Sequence, residues 1–226
     1  MITYYQRSNV NIGDTLPTPI LKELFCLKDA KRVDTEHQGK LVTVGSVASN
    51  IRNRDVVWGT GCIRANQKVT FKSYEVLALR GPLTKQIMGV SKTIPFADPG
   101  CLLPLMYNPG TEPTKKVAQI PNIKEHSLMQ EPFISPALPW KKFVDAILEH
   151  EHVVSSSLHG IIIAEAYGRT AEHVVRSNKL VGKGLFKFQD YLEGTGRKSL
   201  TEKFNVRQYQ QDLMASLYEY LERYIG

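Results

Sequence analysis

A histidine held at the junction of an apolar strand and an apolar helix is well set to move a proton, and His159 stands at such a junction. It lies in the run Ser155-Ser156-Ser157-Leu158-His159-Gly160-Ile161-Ile162-Ile163-Ala164. The preceding His152-Val153-Val154-Ser155 is short and β-branched, as a central parallel strand should be. The apolar run after His159 is too long for one strand and carries alanines at helical spacing. Strand-to-helix turns of this kind border the ligand crevice of open α/β sheets. Backbone N–H groups at a helix N-terminus favour an anionic ligand and a neutral imidazole able to accept a proton. The same position is also compatible with a histidine that only caps the helix.

A second group of this type is Asn11-Ile12-Gly13-Asp14, between an expected strand at Met1-Ile2-Thr3-Tyr4-Tyr5 and an expected helix from about Pro17 to Leu27. Asp14 or Thr15 can cap that helix, and Pro17 suits its first turn. A carboxylate would repel phosphate here, so the chemistry expected of Asp14 is contact with a sugar hydroxyl or transfer of a proton, with Asn11 and the Gly13 backbone beside it. The repeated glycines of a dinucleotide fingerprint or P-loop are missing. Arg80 directly follows the apolar run Val76-Leu77-Ala78-Leu79. In a crevice its planar fork would grip a carboxylate or phosphate through two parallel hydrogen bonds.

Several apolar segments that end in Gly- or Ser-containing turns would bring these groups together. Lys40 to Val44 leads to Gly45-Ser46, Asp55 to Trp58 leads to Gly59-Thr60-Gly61, and Tyr74 to Leu79 leads to Arg80-Gly81-Pro82-Leu83-Thr84. Pro82 fits the first turn of a helix ending at Met88-Gly89. The Pro- and Gly-rich stretch from Tyr107 to Pro113 divides the chain into expected halves 1–112 and 113–226. In the second half a strand is expected at Lys116–Ile120 and a loop at Pro132–Pro139. A helix at Trp140–His150 would bury Phe143, Val144, Ile147 and Leu148. A further strand is expected at Glu172–Arg176. Leu180 to Gly196 reads as a Gly-rich, aromatic and basic excursion able to close over a ligand. Val206 to Tyr224 is an amphipathic helix that would pack across the two halves.

Asn11-Ile12-Gly13-Asp14, Trp58-Gly59-Thr60-Gly61, Arg80-Gly81-Pro82-Leu83-Thr84, Ala97-Asp98-Pro99-Gly100 and Ser156-Ser157-Leu158-His159-Gly160 occur in order, and the ordered set resembles the polysaccharide pyruvyl transferase family. Phe186-Lys187-Phe188-Gln189-Asp190-Tyr191 is similar to a segment of its exopolysaccharide branch. The resemblance implies an α/β fold of two Rossmann-like halves facing a cleft in the GT-B manner. It also implies phosphoenolpyruvate as donor, and a glycan or lipid-linked oligosaccharide acceptor that receives a pyruvate ketal. No cofactor or metal is expected. In that chemistry His159 would transfer a proton and Arg80 would anchor the donor. Ser156, Ser157 and the N–H groups around Gly160 would complete the anion site. Relatives carry arginine where this chain has Ser157, so Lys183 or Lys187 is expected to supply the charge. Many relatives also have histidine after Ile-Pro where this chain has Asn122, with His126 a few residues on. The rival readings are a nucleotide-sugar glycosyltransferase of similar fold, against which the lack of a ribose-binding acid counts, and a noncatalytic relative.

The 226 residues, 42% of them hydrophobic, suffice for a substantial core. The apolar run around Ile161 to Ala166 is interrupted by Glu165 and falls far short of the ~20 residues of a membrane span. The first residues lack the basic and apolar regions of a signal peptide. Cys26, Cys62 and Cys101 have no metal-ligand spacing, which suggests a reducing compartment and a core role for each. The expected location is therefore the cytoplasm. A formal net charge of +7 would attract anionic donors, diphosphate-linked lipids or an anionic membrane surface. Nucleic acid is not expected, because the lysines are dispersed and lack an aromatic-interleaved basic motif.

Overall fold

A computed structural model describes residues 1–7, 10–130, 132–177 and 185–225. The chain is α/β, with two wholly parallel sheets. Strands β1 (Thr3–Tyr5), β2 (Lys31–Val33), β3 (Leu41–Val42), β4 (Val56–Trp58) and β5 (Glu75–Ala78) form the first sheet in the order β2-β1-β3-β4-β5. In such a doubly wound order the ligand crevice opens at the carboxyl ends of the strands where the winding reverses, here between β1 and β3. Buried runs such as Val56–Trp58 make the interior strands, while β2, exposed at Lys31 and Arg32, is a short charged edge. The second sheet is β6 (Lys115–Ile120), β7 (His150–Ser155) and β8 (Thr170–His173), in chain order.

Short helical turns α1 (Ile12–Thr15) and α2 (Pro17–Pro19) run into a π-helical segment, Ile20–Leu24, after β1. Helix α3 (Pro82–Met88) follows β5, and a 3-10 segment at Pro99–Leu105 closes the first half. Helix α4 (Trp140–Leu148) joins β6 to β7 and buries Phe143, Val144, Ile147 and Leu148. Helix α5 (Leu158–Ala166) joins β7 to β8 and is buried from Leu158 through Glu165. A helix with no polar face must be covered all round, and α5 lies between the second sheet and the Pro99–Leu105 segment.

Two helices late in the chain return to the first half. Helix α7 (Val206–Ile225) packs on β5 and on Pro99–Leu105, where Trp58 Nε1 donates to Leu213 O at 3.0 Å and Gln210 Nε2 donates to Cys101 O at 2.7 Å. Helix α6 (Leu185–Gly194) lies on α3, so close to the turn before it that a Cβ at Gly81 would fall 1.8 Å from Asp190 O. Of the excursion expected from Leu180 to Gly196, residues 180–184 lie outside the described residues and Leu185–Gly194 is helical; the strand expected at Glu172–Arg176 lies earlier, at Thr170–His173. Cys62 and Cys101 are buried, but Cys26 is exposed at a left-handed turn (φ 54°) after the π-helical segment, which corrects the core role expected of it. Among the described residues no helix is long and apolar enough to cross a membrane.

Candidate active site

Strand β7 ends at Ser155 and α5 begins at Leu158, so the Ser156-Ser157 turn sets His159 in the first turn of the helix. Ser155 fixes this turn: its Oγ donates to Ile120 O at 2.8 Å and accepts the Ser157 N–H at 2.9 Å. A Cβ on Gly160 would meet Ser155 Oγ at 2.6 Å, and the Gly160 N–H reaches Ser157 O at 3.1 Å. Gly160 is therefore the position that lets α5 seat on β7, not a donor open to a ligand as the sequence suggested.

The His159 ring crosses to the first half. Its Nε2 lies 3.4 Å from Asp98 Oδ1, and a Cβ built on Gly13 would be 2.1 Å from its Nδ1. The side chain is 11% exposed, yet Nε2 is enclosed, so solvent reaches the ring elsewhere. Asp98 is fully buried and its Oδ1 accepts the Gly100 N–H at 2.9 Å, which caps the Pro99–Leu105 segment. Burial pushes the Asp98 carboxyl up, but the His159 imidazole, the Gly100 N–H and the Arg80 charge outweigh it and hold it below the usual carboxylate range. Neither His159 Nε2 nor Asp98 Oδ2 has a hydrogen-bond partner among the described residues. An ionised carboxylate beside a histidine holds the ring in a fixed orientation. Sequence reading had placed Ala97-Asp98-Pro99-Gly100 only as part of a pattern and missed Asp98 as a site residue, because nothing local shows which side chain will lie opposite.

Asn11, Gly13 and Asp14 line the switch point between β1 and β3. Asn11 Oδ1 accepts the Gly13 N–H at 3.3 Å and caps α1. Asp14 Oδ1 would stand 3.7 Å from a Cβ on Gly45, whose φ of +98° is open to glycine and strained for other residues. Ser46 follows and accepts from Arg80.

From α6, Lys187 lies within electrostatic reach of Asp14, Arg80 and Glu125. Its Nζ stands 5.1 Å from the centre of the Phe188 ring, which stacks on His173 at 3.7 Å. It has no hydrogen-bond or ion-pair partner among the described residues. Burial, then the positive charge of Arg80 and more weakly Lys124, push its ammonium down to about 8 against the opposing pull of Glu125 and Asp14. The His173 imidazole is pushed down by burial and by Lys187, with Glu125 opposing.

Two expectations are corrected here. Arg80 is fully buried and its fork grips Asp190, Nε at 3.0 Å and Nη2 at 2.9 Å from Oδ2, while Nη1 donates to Ser46 Oγ at 2.8 Å and Nη2 to Cys62 O at 2.5 Å. Asp190 also accepts from Thr84 N at 2.8 Å and Thr84 Oγ1 at 2.7 Å. The two-point grip expected for a ligand is occupied by α6 itself. Ser156 Oγ donates to the buried Glu125 carboxylate, which also accepts Ser177 Oγ at 2.7 Å. A carboxylate thus fills the place expected for a ligand anion on Ser156. Ser157 caps α5 without a side-chain hydrogen bond and is buried. Lys183 lies outside the described residues. His126 packs on Phe133, with ring centroids 4.9 Å apart, and burial pushes its imidazole down.

Among the described residues no three His, Cys, Asp or Glu side chains converge as for a metal ion. The group comprises a histidine backed by a buried carboxylate, Asp14 next to the Gly13 on which the ring packs, and the Lys187 amine of α6 within electrostatic reach of Asp14. That set can transfer protons and hold an anion.

No family model matches the chain. It is similar to an uncharacterized protein of Acanthamoeba polyphaga mimivirus, 28% identical, with 85% of this chain and 74% of that protein covered. Among solved structures it is similar to a functionally uncharacterized protein from Klebsiella pneumoniae subsp. pneumoniae NTUH-K2044, with 12% identity, a TM-score of 0.48, and 83% and 87% of the two chains covered.

Proposed function

We propose that this protein transfers the pyruvyl group of phosphoenolpyruvate to two hydroxyls of a glycan or lipid-linked oligosaccharide, forming a pyruvate ketal. In this reading the two sheets are the Rossmann-like halves of a GT-B-like arrangement, and the seam between them is the active site. The observation that carries it is the His159 ring, held 3.4 Å from the buried Asp98 and against Gly13 where the halves meet. The ordered motifs of the sequence supply the reaction class.

The reaction requires a proton on the methylene carbon of the donor. The adjacent carbon then becomes oxocarbenium-like and bonds to a sugar hydroxyl, which gives up its proton. Cleavage of the carbon–oxygen bond to phosphate expels inorganic phosphate, and the second hydroxyl closes the ketal as it loses a proton. His159 gives and takes these protons, a role that contributes ~10²–10⁴-fold. Asp98 steadies its charged form. Asp14, on the wall formed by α1, accepts a hydrogen bond from the acceptor hydroxyl. Lys187 holds the anionic donor, in the absence of an arginine at position 157.

Melting of the protein with phosphoenolpyruvate, nucleotide sugars and free nucleotides tests this reading. Phosphoenolpyruvate alone should stabilise, by about 2.7 kcal/mol at a hundredfold excess over Kd. A shift with nucleotide sugars and none with phosphoenolpyruvate would replace this reading with that of a glycosyltransferase.

A further inference from the structure

At the amino ends of β1 and β3, on the side of the first sheet away from the crevice, a cavity of about 470 Å³ opens between the start of the chain, the Cys26–Ala30 turn and α7. Ile2, Leu27, Ala30, Leu41 and Tyr220 give it an apolar lining. Its volume lies within the range of small-molecule sites. An adjoining hollow shares Met1, Lys28, Asp29 and Ala30 with it and adds Lys22 and Lys31. Lys28 and Asp29 therefore stand on the rim that the two hollows share, and Lys22 and Lys31 line the adjoining one. Lys28 and Lys31 are exposed, so their charges cost nothing to hold in the empty state, and Ala30 is the buried floor common to both hollows.

We propose that this cavity binds a single-chain anionic amphiphile of the long-chain carboxylate class, the alkyl chain lying on Ile2, Leu27, Leu41 and Tyr220 and the carboxylate among Lys22, Lys28 and Lys31. An apolar cavity alone would accept any hydrophobe. The lysines select an anionic head, and a half-open hollow of about 470 Å³ has room for one alkyl chain. The site is independent of the crevice and of the chemistry proposed there.

The binding has a natural reporter. Cys26 lines the cavity and is exposed, whereas Cys62 and Cys101 are buried, with the Cys62 thiol pushed up to about 11 chiefly by burial. Modification by a thiol reagent therefore reads Cys26.

The test is calorimetric titration of the full chain with octanoate, decanoate and laurate below their micellar concentrations, alongside the rate of Cys26 modification. Affinity should rise roughly fourfold per added methylene, as burial of apolar surface requires. Saturating laurate should slow Cys26 modification severalfold. Lys28→Glu with Lys31→Glu, both at exposed positions, should leave the melting temperature unchanged and weaken laurate binding at least tenfold. Dodecyl maltoside should bind more weakly than laurate. Affinity that is flat with chain length, or unchanged by the charge reversals, would overturn the proposal. So would binding to phosphatidylglycerol vesicles without binding of monomeric laurate, or self-association that hides Cys26 before any amphiphile is added.

Discussion

Gly13 and His159 are fitted to each other across the seam: a Cβ on the glycine would lie 2.1 Å from the imidazole Nδ1. The glycine belongs to the turn after the first strand and the histidine to a helix nearly 150 residues later, so this contact sets where the proposed proton carrier stands. Gly13→Ala must displace the ring. Turnover should fall by more than tenfold, with overpacking costing about 1–3 kcal/mol of stability. Turnover measured beside a melting curve checks this, and a folded Gly13→Ala protein with normal turnover would remove His159 from the mechanism.

Asp98 steadies the ring from the other side. Asp98→Asn keeps its size and removes its charge, and should lower turnover at least ~10²-fold while donor affinity changes little. The same variant has a stability signature. A carboxyl held low in the fold contributes stability above its unfolded value of about 3.9, and that contribution is lost as pH falls through the folded value. Acid titration of unfolding should therefore show a component in the wild type that Asp98→Asn lacks.

Arg80 and Asp190 form a fully buried pair 2.9 Å apart that latches α6 to the first half. Breaking such a pair leaves an uncompensated charge, so Asp190→Ala should cost about 3–5 kcal/mol in urea unfolding. Arg80→Lys should also destabilise, since an ammonium cannot serve Asp190, Ser46 and the Cys62 carbonyl together. A ligand-gripping Arg80 would instead lose donor affinity with stability intact.

In its proposed role, Lys187 would make donor binding depend on pH. With its ammonium pushed down to about 8, affinity for an anionic donor should weaken as pH rises through that value, and Lys187→Met should remove this dependence. The sign for stability is opposite. Between about 8 and the unfolded lysine value near 10.4 the unfolded chain holds more protons, so wild-type stability rises with pH there. Lys187→Met should consequently melt higher than wild type at neutral pH, with the gap closing toward pH 10.

Much of the strand and helix pattern was legible in the sequence because its signals are local. Val153-Val154 reads as a central strand, Pro82 and Gly89 bracket a helix, and Phe143, Val144, Ile147 and Leu148 mark one face. The edge strand Lys31–Val33 carried no such signal, since two of its three residues are charged and exposed. Helix α6 was hidden for a different reason. Its order comes from Asp190 on Arg80 and Thr84 and from Tyr191 OH on Glu165 at 2.8 Å, contacts made with opposite halves by neighbouring residues. The site was legible as a set of turns but not as a set of partners. Arg80 had the right position for a ligand and proved to be held by Asp190, while Asp98 and Glu125 acquired their importance only through His159 and Ser156.

The central claim is pyruvyl transfer with His159 carrying the proton, and mass spectrometry of the glycan acceptor from the protein's own pathway tests it most directly. Wild type incubated with phosphoenolpyruvate and that acceptor should add one pyruvate ketal per phosphate released, with a chelator leaving the rate unchanged and His159→Ala slower by at least ~10²-fold. A hexose-sized increment with release of nucleoside diphosphate when a nucleotide sugar is supplied, or an unmodified acceptor despite bound phosphoenolpyruvate, would contradict it.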